Sequence, residues 1–169
     1  MTGPVRRERP DLPAGYGLPD TDDGLLEWEP VRRRLEEAQH YWLATVRPDG
    51  RPHLIPRWGV WVDDRFYYDG SPATRHARNL AGNPACSLSL EDGERAVMLE
   101  GRSVVARADS DGLGTRLAEA FGKYHAKGYA PTPEAWAAED GGGLRVFSPR
   151  IALAWVRYPL DATRFVFTG

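Results

Sequence analysis

The sequence predicts a mainly β domain with flanking helices, whose strands pair antiparallel in a sheet or barrel. Strand-like runs follow one another through short turn signals, of which Arg47-Pro48-Asp49-Gly50 is the strongest. Proline presets φ in such a turn, and Asp-Gly supplies a residue that tolerates positive φ. The 18 glycines and 14 prolines imply many turns, while six tryptophans and seven tyrosines suit strands. Hairpin connections favour antiparallel over parallel pairing.

The first half of the chain is predicted to hold a helix, three strands and a short second helix. Pro30 can open the first helix, in which Val31, Leu35 and Ala38 recur at helical spacing through Gln39. The strands are predicted at 41–46, 51–61 and 65–69, and the second helix at 74–81, before the helix-stopping residues 82–84.

The second half is predicted to hold further strands around one longer helix. Asp109 or Ser110 can cap that helix, whose apolar stripe runs from Leu113 to Tyr124. Strands are predicted at 85–90, 96–106, 144–147, 151–158 and 164–168, with a loop over 127–143. Residues 1–28 are rich in proline, glycine and charge, which predicts an irregular N-terminal arm before one domain over 29–169.

The composition of the chain argues against nucleic-acid binding, membrane insertion and metal binding. The net charge of −2 gives no strong field for nucleic acid or for a membrane surface. No apolar run is long enough for a membrane span or a signal peptide, and the single Cys86 suits a reducing compartment, so a cytoplasmic protein is expected. The four histidines lack metal-ligand spacing, so no metal site is predicted: His40, His53, His76 and His125.

The stretch that links the third strand to the short helix is the strongest candidate for a binding site. The first turn of a helix offers unpaired N–H groups and the positive end of the helix dipole. Ser71 and Thr74 add hydroxyl donors, while Arg75 and Arg78 add guanidinium groups, which suit phosphate. A bound dianion would favour protonated His76. The pattern indicates a phosphate site, although a solvated basic helix explains it equally well at this level.

The second strand strengthens the phosphate interpretation. Pro52 and Pro56 lie on one face of it, and proline cannot donate to a sheet ladder, so an unpaired edge is expected. A planar ring could lie along such an edge beside a phosphate. His53, Ile55 and Arg57 share the opposite face. The two tryptophans of this strand are better explained, each taken singly, by packing in the core or at a dimer contact.

Several motifs are similar to those of a known family. Residues 41–53 resemble the opening of the pyridoxamine 5'-phosphate oxidase-like split β-barrel superfamily. Residues 74–80, with the sequence TRHARNL, and the Asn-Pro pair at 83–84 resemble its phosphate-binding motif. Residues 154–155 and 162–165 are similar to the actinobacterial branch of flavin and deazaflavin oxidoreductases.

The resemblance implies a homodimeric split β-barrel (an FMN-binding split barrel) over 29–169, with two cofactor sites at the subunit interface. It implies the deazaflavin coenzyme F-420, which we prefer, or FMN. The phosphate would lie near the start of the short helix, and the ring along the second strand. The predicted cofactor-binding residues are His53, Ile55, Pro56, Arg57, Trp58, Ser71, Thr74, Arg75, His76 and Asn79.

Two features depart from the family pattern. Family members commonly carry lysine where this chain has His76, and histidine is shorter and only partly charged near neutral pH. The C-terminal arginine motif that holds the substrate phosphate in the true oxidase is absent from the sequence. Oxidation of pyridoxamine phosphate is therefore not expected.

The resulting hypothesis is an oxidoreductase that transfers hydride to a small organic acceptor. The cofactor carries such chemistry, so no catalytic side chain is assigned. Tyr124, His53 or Arg57 could polarise the acceptor, although a structural role explains each of them better. Tyr124 and Lys127 are expected to reach the partner's site. The alternative is a non-catalytic dimer that binds a flavin, a deazaflavin or a haem-type ligand, and a weak phosphate anchor at His76 would favour it.

Overall fold

Nine strands and three α-helices build residues 5–168, the part of the chain that this computed structural model describes. The helices are α1 (Trp28–Glu37), α2 (Arg75–Gly82) and α3 (Thr115–Phe121). The strands are β1 (Val5–Glu8), β2 (Tyr41–Val46), β3 (Pro52–Arg57), β4 (Val60–Val62), β5 (Arg65–Tyr68), β6 (Ala85–Ser89), β7 (Val97–Val105), β8 (Arg145–Ala154) and β9 (Thr163–Phe167). Among these residues, no helix is long and apolar enough to cross a membrane.

All strand pairs are antiparallel, which confirms the predicted fold class. The strands follow the order β1-β9-β8-β7-β6-β2-β3, and β4 joins through β5. The long strand β8 pairs with β7 along one side. Along its other side it pairs first with β5 and then with β9, so the sheet divides there as a split barrel does.

The predicted turn at 47–50 forms the hairpin between β2 and β3. The amide of Gly50 donates to the carbonyl of Arg47 at 2.9 Å, and Gly50 has a φ of 82°. Val46 lies opposite Pro52 in the resulting register. This register directs His53, Ile55 and Arg57 to the half-buried face of β3.

Two apolar clusters form the core. The larger one lies between α1 and the inner face of the sheet, and it includes Leu35, Leu43 and Phe165. The smaller one lies under α3 and includes Phe121 and Trp136. The candidate site described below lies at the edge of this second cluster.

The predicted second strand is broken in the structure, because β3 ends at Arg57 and β4 begins at Val60. Gly59 makes the bend possible. A Cβ at this position would lie 2.3 Å from the Phe66 ring and 2.6 Å from the carbonyl oxygen of Tyr67. The amide of Gly59 leaves the ladder and donates to the hydroxyl of Tyr124 at 3.1 Å.

The closing part of the chain also differs from the prediction. The strands expected at 144–147 and 151–158 are one strand, β8, which ends at Ala154. In β8, Ile151 lies opposite Glu100 and Pro149 opposite Gly101, so Arg150 is an extra residue that shifts the register. Gly101 leaves room there, since a Cβ would lie 2.2 Å from the carbonyl oxygen of Ser148. The predicted loop over 127–143 contains short 3₁₀ turns.

The prediction of an irregular arm over 1–28 is wrong for Val5–Glu8, which form β1 on the outer edge of β9. The free N–H and C=O groups of β9 offer a ladder that the local composition of the arm does not reveal. Arg9 then fixes the following residues, because its guanidinium group donates to the carbonyls of Thr21, Leu160 and Ala162. Helix α1 begins at Trp28, two residues before the predicted start.

Candidate functional site

The strand β3 lies at the end of the strand order and pairs only with β2 among the described residues. This position agrees with the unpaired edge that Pro52 and Pro56 predict. Both prolines lie on the exposed face of the strand. The end of β3 runs towards the junction between β5 and α2, where the candidate site is formed.

A cavity of about 430 Å³ lies at this junction. Its lining consists of Pro56, Arg57, Trp58, Asp69, Gly70, Phe121 and Tyr129. The indole of Trp58, 37% exposed, stacks on the ring of Tyr124 with a centroid separation of 5.0 Å and an interplanar angle of 13°. The break at Gly59 places Trp58 in this position. The aromatic wall offers a surface on which a planar ring can stack.

Arg57 forms the polar part of the cavity. One terminal nitrogen of its guanidinium group donates to the carbonyl oxygen of Asp69, and the group lies 5.5 Å from the centroid of the Tyr68 ring. The Nε atom of Arg57 is buried and has no hydrogen-bond partner. A buried donor without a partner is costly, and an acceptor placed beside it would recover that cost.

Asp69 holds Arg57 in place and is itself held. Its Oδ2 atom accepts hydrogen bonds from the hydroxyl of Tyr129 and, at 2.8 Å, from Nε1 of Trp136. Burial, followed by the bond to Asp69, raises the pKa of Tyr129. Asp69, Tyr129 and Trp136 are not among the residues predicted from the sequence. The sequence does show that Asp69 is a carboxylate at the end of a predicted strand, directly before Gly70. No local pattern in the sequence indicates its contacts with residues 129 and 136.

The start of α2 keeps its donors available. The amide and the hydroxyl of Thr74 both donate to the carbonyl of Ser71, at 3.2 and 2.9 Å. The side chain of Thr74 therefore makes no cap on the helix. Arg75 and Arg78 are exposed to solvent. The first turn of α2 thus presents N–H groups that no capping side chain occupies.

His76 is buried, with 4% of its surface exposed, at the inner side of α2. Its Nε2 atom lies 3.3 Å from Oγ1 of Thr74, and its ring lies 6.2 Å from that of Tyr68. Burial, and then the charges of Arg57 and Arg145, lower the pKa of His76 to about 4. The imidazole is therefore neutral at pH 7 in the free chain.

Arg145 is a further cation beside His76 that the sequence analysis missed. It lies on β8, is 8% exposed, and donates to the carbonyl of Ser103 at 3.1 Å. The hydroxyl of Ser103 lies 2.8 Å from that of Tyr68. No ion pair of residues 5–168 includes Arg145, Arg57 or His76. The only feature of the sequence that points to Arg145 is the presence of a charged residue within the otherwise apolar run 144–147.

The structure brings most, not all, of the predicted cofactor residues to this junction. Pro56, Arg57 and Trp58 line the cavity, while Ser71, Thr74 and His76 form the start of α2 beside it. His53 and Ile55 lie further along the half-buried face of β3, and Arg75 points to solvent. The amide of Asn79 is buried and donates to the hydroxyl of Thr45 at 3.0 Å, so it is already used within the fold.

Tyr124 and Lys127 differ in their surroundings. Tyr124 is fully buried, and its hydroxyl lies 3.0 Å from the carbonyl of Gln39 and 2.9 Å from that of Gly59. This hydroxyl cannot polarise an acceptor in its own chain, because its hydrogen bonds hold the β3–β4 bend. The ammonium group of Lys127 lies 5.6 Å from the centroid of the ring of Trp58, which itself lines the cavity.

Comparison with known proteins agrees with this architecture. The sequence profile of the family described as pyridoxamine 5'-phosphate oxidase matches residues 28–147, more than two thirds of the chain. The chain belongs to this family. The match covers α1 through the first part of β8, and therefore the whole candidate site. No curated protein sequence matches the chain.

Solved structures share the split-barrel fold of this family member at low sequence identity. An F-420 reductase is 23% identical, with a TM-score of 0.51 over 83% of this chain and 98% of its own. A haem-binding protein from Mycobacterium smegmatis is 17% identical, with a TM-score of 0.59, and the match covers 80% of this chain and 56% of that protein. A FAD-binding protein from Mesorhizobium loti is 16% identical, with a TM-score of 0.54, and the match covers 96% of this chain and 98% of that protein.

Proposed function

We propose that this protein binds a phosphate-bearing flavin-type cofactor, coenzyme F-420 in preference to FMN, and transfers hydride to a small organic acceptor. The observation that carries the proposal is the junction itself. Cationic groups without carboxylate partners lie directly beside an aromatic cavity of about 430 Å³. A ligand with an anionic end and a planar ring suits both parts.

The residues around the start of α2 fit the phosphate. The partnerless Nε of Arg57 is a donor that lacks an acceptor. The hydroxyl group of Ser71 and the free N–H groups of the first turn add further donors, and the hydroxyl of Thr74 becomes one if it turns away from the carbonyl of Ser71. Arg75, which is exposed, can swing towards an anion at this position without breaking an ion pair of the described residues.

The cavity fits the ring. When bound, a reduced flavin or deazaflavin supplies the hydride, and the protein supplies orientation and a dry environment. Trp58 and Tyr129 would contact the ring, and Asp69 would keep Arg57 in position through its backbone carbonyl. Phe121 adds a further apolar surface to the lining of the cavity. Exclusion of water there would protect the hydride donor from side reactions.

The outer face of the sheet supports the proposed homodimer. Val46 and Leu54, which are 41% and 58% exposed, lie on this face of the β2–β3 hairpin. A cavity of about 710 Å³ continues the face across β6, β7, β8 and β9, and its lining mixes apolar residues such as Val166 with charged ones such as Glu100 and Arg164. Exposed apolar side chains such as Val46 and Leu54 favour contact with another protein surface, and a second copy is the partner proposed here.

The alternative function is a non-catalytic dimer that binds a flavin, a deazaflavin or a haem-type ligand. The neutral state of His76 in the free chain favours it, since the position offers no positive charge to an incoming phosphate at pH 7. The similarity of the fold to a haem-binding protein is compatible with this alternative. Under this alternative the protein would bind its cofactor but would not reoxidise it in the presence of acceptors.

Fluorescence titration tests the proposal. We expect coenzyme F-420 to bind more tightly than FMN and to quench the emission of Trp58, because the ring would stack beside it. Arg57→Ala should weaken binding at least roughly tenfold, since a charged hydrogen bond is typically worth about 1.5–3 kcal/mol. Arg33→Ala is the matched control, because this arginine is exposed on α1. Failure of both cofactors to bind would overturn the proposal.

A further inference from the structure

The anion-binding end of the junction contains one group that can change its charge. His76 lies on α2 and is surrounded by residues from three strands. These are His53 and Arg57 of β3, Tyr68 of β5 and Arg145 of β8. Within residues 5–168, no carboxylate forms an ion pair with either of these arginines or with His76.

We propose that His76 takes up a proton when a doubly charged anion binds at the start of α2, so that this residue selects dianions over monoanions. This inference rests on the proposed function, because it concerns the same phosphate position. Beyond that function, His76 would discriminate between bound anions by their charge. The inference also predicts that binding and protonation are coupled at this site.

The geometry explains why the free site resists the proton. The imidazole is 4% exposed, so it has lost nearly all contact with water. The guanidinium groups of Arg57 and Arg145 repel a third positive charge. Burial and like charge both disfavour the protonated form, and this is why the pKa of His76 falls to about 4.

An anion at the start of α2 reverses this balance. Nε2 of His76 is 3.3 Å from the hydroxyl of Thr74, the N-cap residue directly before the helix. A dianion held by the Nε of Arg57 and the first-turn N–H groups would offset both arginine charges at once. A monoanion would offset only part of them. The protonated imidazole could then donate to Thr74, whose hydroxyl already donates to the carbonyl of Ser71.

Lysine at this position would behave differently. A lysine side chain is charged at neutral pH and needs no proton from solvent to bind phosphate. With His76, a proton must enter the site together with the anion. Binding of a dianion should therefore strengthen as the pH falls, until the anion itself begins to titrate. By linkage, bound dianion should raise the pKa of His76.

The test uses sulfate, which remains a dianion between pH 5 and pH 8, and methanesulfonate as the matched monoanion. NMR titration of the histidine ring protons follows all four imidazoles, and His76→Gln identifies the signal of His76. We expect sulfate to raise the pKa of His76, with a smaller effect of methanesulfonate at equal ionic strength. The exposed His125 is the internal control and should not respond to either anion.

Affinity gives the second readout. Because each pKa unit gained on binding is a factor of ten, sulfate should bind roughly tenfold more tightly at pH 5 than at pH 7.5. In His76→Gln the affinities for sulfate at pH 5 and at pH 7.5 should agree within about twofold, since the glutamine side chain cannot titrate. In His76→Lys the site should prefer sulfate at both pH values.

Two results would overturn the inference, and they differ in what they say about the proposed function. If sulfate shifts the amide signals of α2 but leaves the pKa of His76 unchanged, the proton coupling is wrong while the anion site stands. If sulfate and FMN both leave the α2 amides unchanged, the anion site itself is absent. The phosphate end of the proposed function then fails as well.

Discussion

A buried imidazole beside two guanidinium groups makes the stability of this protein depend on pH. In the unfolded chain His76 binds its proton with an ordinary pKa near 6.5, whereas in the folded chain the pKa is about 4. Between these values the unfolded state binds more protons, so the folded state gains stability as the pH rises. Above pH 6.5 this contribution is complete, and it is lost as the pH falls towards 4.

We therefore expect His76→Gln to flatten the acid side of the stability profile. Relative to this variant, the natural protein should lose on the order of 2 kcal/mol in free energy of unfolding between pH 7.5 and pH 4.5. Urea unfolding of both proteins at the two pH values measures the difference. Parallel profiles for the two proteins would show that His76 does not titrate in this range.

At the level of elements, the break between β3 and β4 is what positions the cavity wall. In a continuous strand Trp58 would share the exposed face of Leu54 and Pro56, because side chains two residues apart lie on the same face. The bend depends on Gly59, whose amide donates to the hydroxyl of Tyr124. The ring of Phe66 and the carbonyl of Tyr67 occupy the space where a side chain at position 59 would lie.

Gly59→Ala should therefore destabilise the protein by about 1–3 kcal/mol, the usual cost of overpacking a filled site. It should also weaken cofactor binding, because Trp58 would shift. Gly82→Ala at the end of α2 is the control, since a Cβ there meets no atom within 4 Å and alanine favours helix. Thermal unfolding compares the two variants, and equal melting temperatures would contradict this role of Gly59.

At the level of the whole molecule, the sheet has one face covered by α1 and one face left open. The covered face holds the larger apolar cluster. The open face includes Leu54 beside Pro52 and Pro56 at the free edge of β3. Two prolines at a free edge discourage growth of the sheet by edge pairing, so contact between open faces is the more favourable route to a dimer.

Leu54→Arg should convert the expected dimer into a monomer while changing the melting temperature of the monomer little, because the side chain is 58% exposed. Leu160→Arg is the matched control. Leu160 is 55% exposed and lies beyond the end of β8, away from this face. Sedimentation velocity measures both variants. A monomeric natural protein, or a dimer unaffected by Leu54→Arg, would contradict the proposed interface.

Local sequence was sufficient to predict what depends on neighbours in the chain. The turn at 47–50, the edge character of the strand that carries Pro52 and Pro56, and the start of a helix after Thr74 each follow from backbone preferences of a few residues. The predicted strands at 41–46 and 85–90 form for the same reason. These features predict a binding site at the same β5–α2 junction at which the structure forms the candidate cavity.

Only the tertiary structure decided which groups meet at that junction and in what charge state. Arg145 comes to the junction from β8, and Tyr129 and Trp136 come from the segment after α3 to hold Asp69. At the edge of the sheet β1 pairs with β9, and at the β3–β4 bend the ring of Phe66 leaves no room for a side chain on Gly59. His76 shows the reason most clearly. Its sequence position predicts a cation, but burial and two arginines remote in sequence make it neutral, because a pKa depends on surroundings in space.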